Sequence, residues 1–175
     1  MQSPSRTILI GGTLGAALTA PVMAAAAPAT MDVTITIPQL KVAEYHRPYV
    51  AIWVEKAGAP AKTVAVWYDY DMKGNEGTKW LRDVRQWWRA SGRTMTFPAN
   101  GITGATRAPG AQKISFSRAQ LGATAAGDYT LVIEAAREVG GRELLRIPFT
   151  WPAKAGVGGR AAGKTELGAV TVAFR

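Results

Sequence analysis

The chain of 175 residues has no cysteine and a single histidine, His46. Without thiolates there are no disulfides, no cysteine-ligated zinc or iron–sulfur centre and no c-type haem attachment. A single imidazole excludes nearly every histidine-based metal site, and no metal is expected. Serine is scarce as well: three follow residue 30, none in a G-x-S-x-G elbow, so a hydrolase triad has no nucleophile to build on. His46 itself, in Glu44-Tyr45-His46-Arg47-Pro48, reads as a polar loop residue. No catalytic residue is expected.

What is present is ordinary for one globular domain: 47% hydrophobic and 19% charged residues, which excludes a disordered tail and a polytopic membrane protein. The first residues stand apart. Arg6 supplies a positive start, residues 7–18 (TILIGGTLGAAL) an apolar run, and Val22-Met23-Ala24 the small residues of a cleavage site. The apolar run is too short to span a bilayer. Residues 1–26 are therefore expected to be a cleaved signal peptide, leaving a single domain over 27–175 that is exported to the periplasm and is not itself transmembrane.

Export changes the meaning of the charge. The formal net charge is +9, and losing Arg6 leaves 20 basic against 12 acidic residues. The basic residues are scattered, with no Lys/Arg run and no aromatic-basic RNA-binding motif, so nucleic acid is not an expected partner.

Residues 32–37 (DVTITI), 49–55 (YVAIWVE), 62–69 (KTVAVWYD), 112–117 (QKISFS), 128–135 (DYTLVIEA), 143–150 (ELLRIPFT) and 166–174 (ELGAVTVAF) are β-branched or aromatic runs bounded by turn signals. Gly140-Gly141 reads as a hairpin turn. About seven short strands predict an all-β fold, an immunoglobulin-like β-sandwich. One segment breaks the rhythm. Thr78 is a candidate N-cap for a helix over residues 79–90 (KWLRDVRQWWRA), ended by Gly92. At 100° per residue, Trp80, Leu81, Val84, Trp87 and Trp88 share one face, with Lys79, Arg82, Arg85 and Arg89 opposite. This predicts one amphipathic helix laid on the sandwich with three tryptophans inward, either as core or with one of them lining a cofactor groove.

Three motifs bear on chemistry. Gly158 to Thr165 (GGRAAGKT) matches the P-loop pattern, but no buried strand precedes it and no helix follows, so it reads as a glycine-rich loop. Asp69 and Asp71 point the same way on a strand but fall at its end, a poor place for paired acid–base work. The third motif is Asn100-Gly101-Ile102-Thr103-Gly104-Ala105-Thr106, in a loop bounded by Pro98 and Gly110. It resembles the flavinylation sequence of bacterial extracytosolic flavoproteins, Asp-x-x-(Ser/Thr)-Gly-Ala-(Thr/Ser), with Asn100 where that sequence has Asp. The resemblance implies FMN joined covalently through a phosphodiester to Thr106, by a flavin transferase that brings its own base and magnesium. Thr103, Gly104 and Ala105 would shape the acceptor loop, and Arg107 would pair with the phosphate. The Gly-Ala pair leaves the backbone unobstructed beside the hydroxyl.

A wider resemblance rests on 47–54 (RPYVAIWV), Lys79-Trp80-Leu81 followed by Trp87-Trp88-Arg89, 103–110 (TGATRAPG) and 128–138 (DYTLVIEAARE). In order and spacing these resemble a family of predicted periplasmic proteins of unknown function. Members commonly occur beside PepSY-type membrane proteins and flavin transferases, which implies a redox carrier in extracytosolic electron transfer rather than an enzyme with its own substrate. The other reading is a cofactor-free interaction module of the periplasm.

Overall fold

The computed structural model describes residues 28–175, so the expected signal peptide lies outside the described residues. In chain order the strands are β1 (Thr30–Ile37), β2 (Tyr49–Glu55), β3 (Lys62–Trp67), β4 (Thr103–Gly104), β5 (Gly110–Ser117), β6 (Gly127–Ala136), β7 (Arg142–Trp151), β8 (Gly156–Ala162) and β9 (Ala169–Phe174). They form a four-stranded sheet in the order β5-β1-β9-β8 and a five-stranded sheet in the order β4-β3-β2-β6-β7. All pairings are antiparallel except β3 with β4. The chain is an all-β sandwich.

The alternation of the sequence sets the inner faces. In β1, Met31, Val33, Ile35 and Ile37 are buried between the sheets, in one cluster with Val50, Ile52, Leu131, Ile133, Val170 and Val172. Strand β2 reads as a continuous apolar run because both its faces are covered. Val50, Ile52 and Val54 meet the four-stranded sheet, while Tyr49, Ala51 and Trp53 join a second cluster with Val66, Leu81, Val84, Trp87 and Val132. A third layer, residues 73–97, thus covers the outside of the five-stranded sheet.

That layer departs from the expected single helix over 79–90. The chain makes 3-10 turns over Lys73–Asp83, leaves helical geometry at Val84 (φ −78°, ψ 72°), then forms a short α-helix, α1 (Arg85–Ala90). Thr78 does not cap it; its hydroxyl donates to the Asn75 carbonyl. The cap comes from the sheet instead. The fully buried Glu134 carboxylate, on β6, accepts from the Gln86 N–H (2.9 Å) and the Trp87 N–H (2.9 Å), satisfying amides that a helix start leaves unpaired. The break changes the phase of the tryptophans. Trp87 is fully buried, Trp88 partly, and Trp80, expected inward, is 46% exposed.

Two strands were not expected. Strand β4 is two residues of the flavinylation-like motif. Strand β8 occupies the stretch read as a glycine-rich loop. It is glycine-rich because neighbours leave no room for side chains: a Cβ at Gly158 would overlap the Phe174 ring, and one at Gly159 would stand 2.7 Å from Ile147 Cγ2. The P-loop-like letters end in a turn that does hold an anion. The Glu143 carboxylate of β7 accepts from the N–H groups of Lys164 (2.6 Å), Thr165 (3.1 Å) and Leu167 (2.9 Å). A second short helix, α2 (Arg118–Leu121), carries a reciprocal Ser117–Gln120 capping box and ends at Gly122 with φ 67°.

Candidate functional site: a cavity beside Thr106

The motif loop is placed by β4. Its residues pair in parallel with β3, Thr103 opposite Val66 and Gly104 opposite Trp67. Two hydrogen bonds fix the register, Val66 N–H to the Ile102 carbonyl (2.9 Å) and Tyr68 N–H to the Gly104 carbonyl (3.0 Å). The Thr103 hydroxyl accepts from the Ala99 N–H at 2.9 Å, closing the preceding turn. A Cβ at Gly104 would stand 3.2 Å from Trp67 Cδ1, so the glycine lets the strand lie close on that indole. Ala105 and Asn100 are exposed. The Arg107 guanidinium lies 5.1 Å from the Trp67 ring centroid, a cation–π contact.

Thr106 follows with 9% of its surface exposed. Its hydroxyl donates to Asp69 Oδ1 at 3.0 Å, and the Tyr49 hydroxyl donates to Asp69 Oδ2 at 3.5 Å. Burial, with the Asp69 charge beside it, pushes the Tyr49 pKa up to about 12, so this phenol remains a donor at neutral pH. Asp69, set aside in sequence as a strand-end carboxylate, is thus the acceptor for two hydroxyls. Gly77 brings the outer layer down onto it, since a Cβ there would overlap the Asp69 carbonyl oxygen.

Thr106 and Asp69 form one wall of a cavity of about 360 Å³, also lined by Tyr45, Arg47, Tyr49, Trp80 and Arg137. That volume lies in the range of small-molecule sites. His46, at the same cavity, stands 3.0 Å from Glu44 and 3.5 Å from Glu138. Arg137 is nearly buried and makes two hydrogen bonds to Glu166, at 2.9 and 3.2 Å. The Tyr45 hydroxyl is buried without a hydrogen-bond partner. Burial raises its pKa, with the Arg137 charge opposing. Of the residues singled out in sequence, Thr106 lines the cavity, Thr103, Gly104 and Ala105 precede it outside the lining, and Arg107 lies on Trp67 instead. Among the described residues no three His, Asp or Glu side chains converge as a metal site.

The four stretches that carry the family resemblance meet at this cavity: Arg47 and Tyr49 from the first, Trp80 from the second, Thr106 from the third, Ala136, Arg137 and Glu138 from the fourth. A model for a family described as "predicted periplasmic protein (DUF2271)" matches residues 30–169. The chain belongs to the DUF2271 family. The matched span runs from the first residue of β1 to the first of β9 and so contains the whole cavity. A periplasmic location follows from DUF2271 membership, and no helix among the described residues is long and apolar enough to cross a membrane. No curated protein and no solved structure matches the chain significantly.

Proposed function

We propose that this DUF2271 protein is a periplasmic flavoprotein, carrying FMN as a phosphodiester on Thr106 and relaying electrons between a PepSY-type membrane protein and an extracytosolic acceptor. One observation carries the reading: the last hydroxyl of Thr103-Gly104-Ala105-Thr106 lies on the wall of a cavity lined by aromatic, basic and acidic side chains. The residues fit the group. Tyr49 and Trp80 offer surfaces for a planar ring and Arg47 a charge for the phosphate, beside the carboxylates of Asp69, Asp83 and Glu138. Bound FMN supplies two-electron redox chemistry.

In the attachment step a flavin transferase presents FAD. Thr106 Oγ1 forms a bond to the FMN phosphorus, the pyrophosphate bond to AMP breaks, and AMP leaves. In this step the Thr106 hydroxyl gives up its hydrogen bond to Asp69 Oδ1, and its proton passes to the base that the transferase brings. With 9% of its surface exposed and its hydroxyl on Asp69, Thr106 has to turn outward for the transferase to reach it.

The finer fold assignment, an immunoglobulin-like sandwich, is supported by the order β3-β2-β6-β7 and by Tyr129. That residue lies near the start of β6 and its hydroxyl donates to the Ala125 carbonyl at 2.6 Å, four residues upstream, as in the tyrosine corner of such folds.

The test is co-expression of the whole precursor with a flavin transferase, followed by intact mass of periplasmic material. The wild type and Thr106→Ser should gain one FMN, and the flavin fluorescence should survive a denaturing gel. Thr106→Ala should gain none, while Thr124→Ala, in the second Gly-Ala-Thr of the chain, should label normally. Wild-type protein without added mass would refute the proposal. The cofactor-free interaction module then takes over, favoured by the observation that Asp69 already satisfies the Thr106 hydroxyl.

A further inference from the structure

The flavin reading uses Thr106 and Arg47 and gives no work to the carboxylates of the cavity. The chain has 12 acidic against 21 basic residues, so an acid without a basic partner stands out. Asp32, Glu55 and Glu166 are answered by arginines, Glu76 by Lys79, and Glu143 by backbone amides. Asp69, Asp83 and Glu138 have no lysine or arginine partner among the described residues, and all three line this one cavity. Arg47 and Arg137 line it too, but the charge of Arg137 is already met by Glu166. His46 stands between Glu138 and a further carboxylate, Glu44. The lining is net negative in a chain whose formal net charge is +9.

The three carboxylates differ in what they have left to offer. Both oxygens of Asp69 accept hydroxyl hydrogens, from Thr106 and Tyr49. Asp83 and Glu138 are exposed, and Trp80, 46% exposed, lies on the cavity with them. An exposed indole face attracts a cation, and nearby carboxylates add to that attraction. Trp80, Asp83 and Glu138 also line a neighbouring hollow, but Arg85 and Arg142 join them there and oppose the negative charge. The cavity side is the one that favours a cation. Among the described residues the acids do not converge as a metal site, so the lining suits a cation carried on a stem. Met72 and Ala136 supply apolar surface for that stem.

We propose that this cavity binds an organic cation, a guanidinium or primary ammonium on a short aliphatic stem, held over Trp80 by Asp83 and Glu138. The group recognised is the same whether it comes as a free amine or as an arginine or lysine side chain of another protein. The cavity of about 360 Å³ has room for one such chain. The site is a property of the unmodified protein and does not rest on the Thr106 reading.

The experiment uses mature protein made without a flavin transferase, its intact mass showing Thr106 free, so its outcome and that of the flavin test are separate. Agmatine, an aliphatic guanidinium with an amino group at the other end, is the free probe. Acetyl-Gly-Arg-Gly-amide carries the same guanidinium on a peptide with blocked ends. Calorimetric titration should show one site for at least one of the two, with the intrinsic tryptophan emission changing in step. Asp83→Asn combined with Glu138→Gln should weaken binding about tenfold, and added salt should weaken it in the wild type. Trp80→Leu should weaken it several-fold and remove the emission change, whereas Asp128→Asn, at the opposite end of β6, should alter neither. Tighter binding of the peptide assigns the cation to a partner protein, tighter binding of agmatine to a free amine, and either result sustains the site. No binding of either probe, equal binding of pentanoate, or binding that survives loss of both carboxylates would overturn it.

Discussion

Replacing Trp87 by alanine tests the outer layer at its centre. The side chain is fully buried. Its ring meets Trp88 edge-on (centroids 6.0 Å apart, 62°) and Phe97 likewise (5.8 Å, 68°), and a Cβ added at Gly92 would stand 2.9 Å from it. Removing a core aromatic of this kind costs about 3–5 kcal/mol, and two edge-to-face partners argue for the upper half of that range. Trp87→Phe should cost much less. It loses the Nε1–H bond to Thr63 Oγ1 (3.0 Å), but Thr63 still shares a hydrogen bond with Ser91 Oγ (2.7 Å), so no buried hydroxyl is orphaned; the loss is about 0.5–1.5 kcal/mol for the bond plus a small void. Trp80→Ala, on a half-exposed indole, should stay within about 1 kcal/mol. Urea unfolding of the mature protein measures all three, with unchanged m values as the condition for comparing them. For a domain of this size about 2–4 °C of midpoint is lost per kcal/mol, so Trp87→Ala should melt about 6–20 °C early. If Trp80→Ala destabilised as much as Trp87→Ala, the two indoles would share one buried face, and the break at Val84 would be refuted.

Burial alone would raise the Glu143 pKa, but the N–H groups of Lys164, Leu167 and Thr165 outweigh it and hold the pKa below its usual value. A depressed carboxyl pKa contributes stability that is present above the unfolded value, about 4.3, and lost as pH falls through the folded one. Unfolding free energies of Glu143→Gln should therefore lie below wild type at pH 7 and converge with it below pH 4.3, within the acid limb common to both; a constant gap across that window would contradict the carboxylate–amide account. Gly158→Ala forces a methyl into the Phe174 ring, so overpacking should cost about 1–3 kcal/mol by urea unfolding, and an unperturbed variant would mean that β8 does not lie on Phe174.

Strands with one buried face were legible because burial itself writes the alternation: β1 shows Val33, Ile35 and Ile37 inward against Thr34 and Thr36. The Gly140-Gly141 hairpin between β6 and β7 was legible for the same local reason, turn chemistry between two strand-like runs. Strand β8 was not, since its inner positions are glycines dictated by Phe174 and Ile147, residues remote in sequence. The helix break was not, because the group that starts α1 is Glu134, on a strand 48 residues from Gln86. Helical periodicity carried Leu81, Val84 and Trp87 correctly to the buried side and failed at Trp80, which lies in the 3-10 turns where a period of 3.6 does not hold. At the site, Thr106 was visible from its motif. Its partner Asp69 was not, because the pairing that joins them is two residues long and leaves no period to read. Tyr45, Arg47 and Arg137 lie just outside the Tyr49–Ala136 pair that ends the β2–β6 ladder, so their convergence is a consequence of register that neither strand displays alone.

The acids explain why the letters of a phosphate loop occur here without phosphate chemistry. A run of glycines followed by Lys and Thr offers backbone N–H groups that turn toward one point, and such a point attracts negative charge. The pattern specifies the donors and leaves the anion to whatever the fold delivers. Here β7 delivers Glu143, and the three amides of Lys164, Thr165 and Leu167 close on it. Glu134 is consumed in the same way by the amides of Gln86 and Trp87. Backbone amides carry no formal charge, so Glu143 is spent without a basic partner of its own, whereas Glu134 also stands 3.6 Å from Arg142. With 12 acids against 21 basic residues, the chain carries a positive excess of nine. That excess is spread over the surface, whereas Arg47, and Arg137 with its Glu166 partner, are gathered by the β2–β6 register at the cavity that Thr106 shares.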